Sequence, residues 1–139
     1  MACRDGVLDT LNDTVYIVDD DEAVRESLAA LLETHGFAVE AFASGDAFQE
    51  QAPAGLHGCV LLDLQLPHRN GLQILDWLRR TLHSDIPVLL MTGHGDKATR
   101  ASAHEAGVNG YLEKPFDVAA LADMITAIFD ARGRAAASV

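Results

Sequence analysis

Short apolar runs alternate along this chain with longer stretches in which apolar residues recur every three or four positions. The short runs predict five β-strands: TVYIV (14–18), AVEAF (38–42), CVLLD (59–63), IPVLLMT (86–92) and NGYLEK (109–114). The stretches between them predict helices over 22–35, 45–52, 71–81 and 96–106, and a last helix after Asp117. Strand and helix therefore alternate through most of the chain.

Residues at the helix ends support these boundaries. Gly36 and Gly107 follow the last periodic positions of two helices, where glycine commonly ends a helix. Side chains suited to capping precede four helices, namely Asp21, Ser44, Asp96 and Asp117. In the last helix one apolar stripe is predicted, formed by Val118, Leu121, Ile125, Ile128 and Phe129.

The strands are apolar on both faces, which is typical of a parallel sheet covered by helices on both sides. Right-handed crossover connections then predict a doubly wound α/β sandwich. We expect one folded domain over residues 14–130, a flexible N-terminal arm over 1–13, and a tail or linker stub over 131–139. In such sheets ligands bind outside the carboxyl ends of the strands.

Composition narrows the class of function. The chain has 139 residues and a net charge of −11, from 10 basic and 21 acidic residues, and 49% of it is apolar. That apolar content favours a folded domain over a disordered one. The acidic balance makes direct nucleic-acid binding by this segment unexpected, whereas cations or a basic protein surface would suit it.

Cysteine and histidine spacing gives no metal motif. Cys3 and Cys59 form no CxxC pattern and fit a free thiol in the arm and a small core residue. The six histidines lack the spacing of zinc ligands. Since the sequence has neither the apolar region of a signal peptide nor a run of eighteen apolar residues, we expect a cytoplasmic protein that does not insert into a membrane.

Four of the predicted strands end on polar residues that can perform chemistry. Asp19 and Asp20 follow the first strand, Asp63 ends the third, Thr92 ends the fourth and Lys114 ends the fifth. These ends share one edge of a parallel sheet. Clustered carboxylates are tolerable around a hard cation such as Mg²⁺, which keeps several waters and bridges to phosphate oxygens. The set therefore predicts formation and hydrolysis of an aspartyl phosphate.

Each of these residues also has a simpler explanation when it is taken alone. Acids after a strand often cap the next helix, and Asp21 is expected to do only that. A single aspartate at a strand end is common in α/β folds, and a lysine before a proline is usually a solvated loop residue. The ordered combination at four strand ends is much more specific than any one of them.

The stretches that carry these residues are VDDDE, LLDLQLPHRNGL, LLMTGHGD and YLEKPF. Together they resemble the receiver domain of two-component response regulators, over about residues 14–130. MTGHGD and EKPF are most similar to the FixJ-type branch of that family. The resemblance implies a flavodoxin-like (βα)5 sandwich, with a five-stranded parallel sheet in the order 2-1-3-4-5.

The resemblance also implies roles around the metal. Asp63 matches the phosphoacceptor, and Asp20 matches the direct metal ligand. Asp19 matches the acid that acts through metal-bound water, and Gln65 matches the position whose backbone carbonyl completes the metal shell. The implied cofactor is Mg²⁺, with Mn²⁺ as a possible substitute.

A second set of roles concerns the response to phosphorylation. Thr92 matches the switch hydroxyl that bonds the phosphoryl group, and Lys114 matches the active-site lysine. The bond from Lys114 to Pro115 resembles one that is cis in the family. Tyr111 matches the aromatic switch residue, which turns inward when Thr92 moves toward the phosphate.

Several positions depart from the usual family choice or vary within it. His68 stands where most relatives carry an acid, and Gly93 stands where alanine is commonest. Gly93 is expected to open space beside the phosphorylation site. Gln65 and His94 occupy two positions thought to tune the lifetime of the phosphoryl group, and we expect them to influence its hydrolysis.

The function that the resemblance implies is a regulatory phosphoacceptor. It would take a phosphoryl group from a sensor histidine kinase and catalyse only its own phosphotransfer and hydrolysis, so it would not be an enzyme with an external substrate. Its fourth helix, fifth strand and fifth helix would relay the state to an output, with transcription and phosphorylation-dependent homodimerisation as expectations by analogy.

Two other classes of function share parts of this pattern. An aspartate-nucleophile phosphohydrolase typically has a DxD pair and a cap domain, but Asp63 is followed by Leu64 and Gln65, and 139 residues leave no room for a cap. A phosphate-independent pseudo-receiver would only bind partners, although all the acceptor residues are present here. Turnover of a phosphomonoester would favour the first, and failure to label with acetyl phosphate would favour the second.

Overall fold

Five parallel strands form one sheet in the order β2-β1-β3-β4-β5 in the computed structural model, which describes residues 14–51, 56–93 and 96–137, the last six by backbone alone. The strands are β1 Thr14–Val18, β2 Ala38–Phe42, β3 Cys59–Asp63, β4 Val88–Thr92 and β5 Gly110–Glu113. The predicted fold class and strand order are confirmed. The predicted arm over 1–13, with Cys3, lies outside the described residues.

The five helices are α1 Glu22–Thr34, α2 Gly45–Gln51, α3 Gly71–Asp76, α4 Lys97–Glu105 and α5 Val118–Ala137. All four predicted caps accept backbone hydrogen bonds. Asp21 Oδ1 accepts from the backbone N–H groups of Ala23 and Val24, and Ser44, Asp96 and Asp117 accept from the first turns of their helices. Gly36 follows α1 with a positive φ of 93°, which the lack of a Cβ allows.

Alternating strand residues supply two separate hydrophobic layers, because successive side chains in a strand face opposite sides of the sheet. One layer joins the sheet to α1 and α5 through residues such as Leu28, Leu32 and Ile125. The other joins it to α2, α3 and α4 through residues such as Phe48 and Leu78. Cys59 is buried in the first layer, as the sequence predicts. None of the helices described is long and apolar enough to cross a membrane.

Several elements differ from their predicted form or bounds, and the fifth strand, predicted over 109–114, spans Gly110–Glu113. The predicted third helix changes after Asp76 into a π-helical turn over Trp77–Thr81, in which the N–H of Leu82 donates to Trp77 O at 3.0 Å. The fourth strand begins at Val88, two residues later than predicted. The residue before it, Pro87, has no N–H to donate to a ladder, although its carbonyl accepts from Val60.

The last helix continues beyond the predicted apolar stripe. It extends to Ala137 and so includes most of the segment predicted to be a tail, because alanine and arginine favour helix strongly enough to tolerate one glycine. The use of 131–139 as a linker stays a prediction.

Arg79, in the π-helical turn, joins the loops that precede β4 and β5. Its Nη1 donates to the carbonyls of Ser84 and Ile86, both at 2.9 Å. Its Nη2 donates to Gly107 O at 2.8 Å and to Asn109 Oδ1 at 3.1 Å. Burial lowers the pKa of this guanidinium, and Asp85 partly opposes that effect. One side chain thus satisfies backbone groups on both loops.

Candidate phosphorylation and metal site

Three carboxylates meet at the carboxyl edge of the two central strands. Asp19 and Asp20 directly follow β1, and Asp63 is the last residue of β3, which pairs with β1. One oxygen from each carboxylate lies within 4.8 Å of the others. Asp19 and Asp63 are buried and Asp20 is exposed. The convergence predicted from the strand ends is therefore present.

Local backbone bonds hold the first two acids in place. The N–H of Asp19 donates to Phe42 O at 3.2 Å, at the end of the neighbouring β2. Asp19 Oδ1 accepts from the N–H of Asp21 at 2.9 Å, while Asp21 itself caps α1. Arg25, one turn into α1, donates from Nη1 to Asp19 O at 2.8 Å. The turn after β1 is thus bonded to both the next strand and the next helix.

Close packing behind Asp63 depends on Gly71. A Cβ added to Gly71 would lie 2.7 Å from Asp63 O and 2.9 Å from Leu64 Cα, distances that backbone atoms cannot relieve by rotation. The N–H of Gly71 donates to Leu64 O at 2.8 Å. Asn70 caps the helix that starts here and shares a reciprocal pair of bonds with Gln73. The absence of a side chain at Gly71 lets α3 start directly behind β3.

Lys114 links two of the acids across the sheet edge. Its Nζ donates to Asp19 Oδ2 at 3.0 Å and to Asp63 Oδ2 at 3.4 Å. The Lys114–Pro115 peptide bond is cis, as the resemblance implies. Burial alone would lower the pKa of Lys114, but Asp19 and Asp63 together raise it above its usual value. The ammonium therefore stays charged at neutral pH.

For the pKa of Asp63, burial outweighs the neighbouring positive charge. Burial raises its pKa, the N–H of Gln65 at 3.1 Å and the Lys114 ammonium act to lower it, and the Asp19 charge raises it further. The net pKa lies above the usual value. A carboxylate in such surroundings favours any binding partner that brings positive charge, and a hard cation with oxygen ligands is one.

The donor set fits Mg²⁺ on its own chemistry. All three candidate ligands are carboxylates, the ligands that this ion prefers, and the exposure of Asp20 leaves one side open to the waters that the ion retains. The described residues bring no histidine or cysteine into this cluster. The set thus resembles neither a zinc site nor a transition-metal site.

The predicted switch residues lie on the next two strands. Thr92 ends β4 and is fully buried, and its carbonyl accepts from the N–H of Lys114 at 2.7 Å. Tyr111 lies in β5, and its hydroxyl is buried without a hydrogen-bond partner among the described residues. The Arg100 guanidinium lies 5.2 Å from the centre of the Tyr111 ring and pairs with Glu113 at 3.1 Å. Burial raises the pKa of Tyr111.

The remaining predicted positions are Gln65, Gly93, His68 and His94. Gln65 is exposed, and its N–H donates to Asp63 Oδ1. A Cβ added to Gly93 would meet nothing within 4 Å, so the space beside Thr92 is open. His68 is exposed and has a φ of 68°. His94 lies outside the described residues.

Sequence reasoning did not single out Arg25 or Gly71. Arg25 stands four residues after the capping Asp21, a spacing that returns its side chain toward the turn. Gly71 follows a predicted loop asparagine in the motif around Asp63. The Arg25 spacing is visible in the sequence once the strand ends are known to form a site, whereas the close approach that requires glycine at position 71 is not.

Asp63→Asn is expected to stabilise the metal-free domain. The folded state raises the pKa of Asp63 above its ordinary 3.8, so it favours the protonated side chain. The stabilisation from this group is therefore fully present below pH 3.8 and is lost as the pH rises through the raised pKa. Asparagine removes that loss. We expect a higher melting temperature at pH 7 in EDTA, with the gain shrinking toward pH 4. Asp123→Asn, exposed on α5, is the control, and a less stable Asp63→Asn would contradict the argument.

Comparison with known proteins identifies the class. Residues 15–126 match the response regulator receiver domain, so the chain belongs to that family. It is a receiver domain of a two-component response regulator, and receiver domains of transcriptional regulators are generally not classical enzymes. Receiver domains of response regulators are phosphorylated by sensor histidine kinases.

The relatives also support the FixJ-type resemblance. The chain is 42% identical over 123 residues to the transcriptional regulatory protein FixJ of Azorhizobium caulinodans, covering 88% of this chain and 56% of that protein. The crystal structure of FixJ-N has 38% identity and a TM-score of 0.76, covering 85% of this chain and 94% of that one. The response regulator StyR has 35% identity and a TM-score of 0.79, with coverage of 91% and 65%. The chain spans about half the length of the curated relatives it matches.

Proposed function

We propose that this domain accepts a phosphoryl group on Asp63 from a sensor histidine kinase and passes the change to an output. The observation that carries the proposal is the meeting of Asp63 with Asp19, Asp20 and the Lys114 ammonium. Three acids with one shared lysine provide a nucleophile, a cation site and a donor for a phosphoryl oxygen. The relatives named FixJ are transcriptional regulators, which favours transcription as the output.

The cation in this proposal is Mg²⁺, with Mn²⁺ able to replace it. Asp20 and Asp63 would be direct ligands together with the backbone carbonyl of Gln65, and Asp19 would act through a bound water. When bound, the cation neutralises charge that develops on the phosphoryl oxygens. The exposed side at Asp20 leaves room for the waters that Mg²⁺ retains.

In the transfer step an Asp63 carboxylate oxygen attacks phosphorus. The bond from phosphorus to the donor histidine nitrogen breaks, and its electrons stay on that nitrogen. In hydrolysis a water oxygen attacks phosphorus, the Asp63 oxygen leaves as part of the carboxylate, and both protons of the water leave on inorganic phosphate as H2PO4⁻. Lys114, already directed at Asp63 Oδ2, would donate to the transferred group throughout.

The relay would run through Thr92 and Tyr111. A phosphoryl group adds negative charge and strong acceptors, with which the Thr92 hydroxyl would gain a new contact. The shift of Thr92 would free space for Tyr111 and bias the surface of α4, β5 and α5. Homodimerisation through that surface, upon phosphorylation, is part of the proposal.

Partners and compartment follow the same reasoning. The kinase is the expected macromolecular partner, in the cytoplasm, and the acidic charge favours a protein partner over nucleic acid for this segment. Gln65 and His94 are proposed to tune the lifetime of the phosphoryl group, because Gln65 borders the acceptor and His94 follows Gly93.

The test is labelling with acetyl phosphate, read by intact-protein mass spectrometry. Wild-type protein with Mg²⁺ is expected to gain the mass of one phosphoryl group, and EDTA should prevent the gain. Asp63→Asn should stay unlabelled, while the exposed control Asp123→Asn should label like wild type.

Each other outcome points to a different conclusion. Labelling that persists in Asp63→Asn would place the acceptor elsewhere. A wild-type protein that never labels would indicate a pseudo-receiver. Sustained turnover of a generic phosphomonoester would instead indicate a phosphohydrolase.

A further inference from the structure

We propose that Arg25 is a positioning residue for the cation, because it fixes the backbone that carries Asp19 and Asp20. This inference rests on the proposed function of the carboxylate cluster. Arg25 lies in the second turn of α1 and is half-buried. Its Nη1 donates to Asp19 O at 2.8 Å, the distance of a strong hydrogen bond.

The bonded carbonyl belongs to the peptide that joins the two acids. On the other side of Asp19, the N–H donates to Phe42 O, and the carboxylate is held by Asp21 and Lys114. Asp20 is exposed, so its direction depends on the orientation of this peptide. Arg25 bonds the backbone carbonyl of Asp19 and therefore limits rotation of the peptide from which Asp20 projects.

The helix does not depend on this bond for its own formation. Asp21 caps α1 through two backbone N–H groups, and Leu28 and Leu32 bury its inner face. A variant at position 25 should therefore fold. Loss of the Arg25 bond is therefore expected to change cation binding and not the stability of the fold.

Charge and position predict opposite results for cation binding. A guanidinium bonded to Asp19 O would repel a divalent cation held beside Asp19, so removal of its charge alone would tighten binding. Removal of a group that orients a ligand loosens binding, typically by 10- to 100-fold for partners of metal ligands. The sign of the change thus separates the two roles.

The experiment measures Mn²⁺ affinity of the full chain by electron paramagnetic resonance of the free ion. Arg25→Met is expected to weaken binding roughly 10-fold relative to wild type. Arg25→Lys, which keeps a charge and a donor, should recover part of that loss. Glu26→Gln, exposed on the same helix, is the control and should bind like wild type. Thermal unfolding in EDTA should change little for any of these variants.

The outcomes separate this inference from the proposed function. If wild-type protein binds no Mn²⁺, the proposed cation site is wrong. If wild type binds and Arg25→Met binds equally or more tightly, the positioning role is overturned while the site stands. Should Arg25→Met fail to fold, Arg25→Ala, which also removes the donor, is measured in its place, and wild-type or tighter affinity in that variant overturns the inference.

Discussion

Lys114→Met is expected to accept a phosphoryl group from acetyl phosphate at a rate about 100-fold below wild type or slower, the loss typical of removing one aligned donor from a reacting oxyanion. The Nζ atom already bonds an oxygen of Asp63, the proposed acceptor, at 3.4 Å, and an oxygen of Asp19 at 3.0 Å. A transferred group on Asp63 would bring its oxygens within reach of the same ammonium. Methionine keeps the apolar stem and removes only the charge and the donors.

The cation should still bind in this variant. Loss of a neighbouring positive charge favours Mg²⁺ electrostatically, so a slow rate with retained Mn²⁺ affinity assigns the defect to the donor. Lys114→Arg is expected to remain slow, because a planar fork does not occupy the place of a compact ammonium. Lys97→Met, an exposed lysine at the start of α4, is the matched control and should label like wild type.

The pH dependence gives an independent check. Since Asp19 and Asp63 raise the pKa of Lys114 above 10.5, its pairs stabilise the fold fully below that pH and lose their effect only as the pH rises through the raised pKa. Labelling of wild type should therefore show no decline from lysine titration between pH 7 and about 10. Lys114→Met that labels at the wild-type rate would contradict the proposed role.

The site was predictable because the chemistry coincides with strand ends. Asp63 and Thr92 are the last residues of apolar runs, and a parallel sheet brings such ends to one edge. The same regularity made the caps visible, since Asp21 and Asp96 stand directly before periodic segments. These predictions needed only the order of elements along the chain.

The π-helical turn and the close approach at Gly71 were not predictable in the same way. The π-helical turn at Trp77 keeps Leu78 in the core, and an apolar period near 3.6 does not distinguish it from a regular helix. Gly71 is required by the approach of Asp63 O, a distance that depends on how α3 packs behind β3. Such features follow from tertiary packing. The hydrophobic pattern of one sequence predicts which face of an element is buried, but not the distances between elements.

The helix past Phe129 illustrates a competition between two signals. The composition of the segment after it, ARGRAAASV, is small and polar, which favours a tail. Its individual residues are mostly strong helix formers, and an existing helix extends more easily than a new one starts. Because α5 extends to Ala137, helix propensity outweighs the tail-like composition of this segment.

Arg79→Met is expected to lower the free energy of unfolding by about 3 kcal/mol, because charged hydrogen bonds contribute roughly 1.5 to 3 kcal/mol each and the half-buried site reduces their sum. Four acceptors lose a donor at once: the carbonyls of Ser84, Ile86 and Gly107, and Asn109 Oδ1, which keeps its bond from the N–H of Val88. Urea unfolding should give a lower midpoint with an unchanged slope. The melting temperature should fall by about 10 °C.

The neighbouring arginine provides the control for this prediction. Arg80 is 82% exposed along its side chain and pairs only on the surface with Asp76, so Arg80→Met should cost less than about 0.5 kcal/mol. Below its lower melting temperature, Arg79→Met should still label on Asp63. The bonds of Arg79 lie before β4 and β5, whereas the acids lie after β1 and at the end of β3. Equal stability of the two variants would mean that water replaces the guanidinium at these carbonyls without loss.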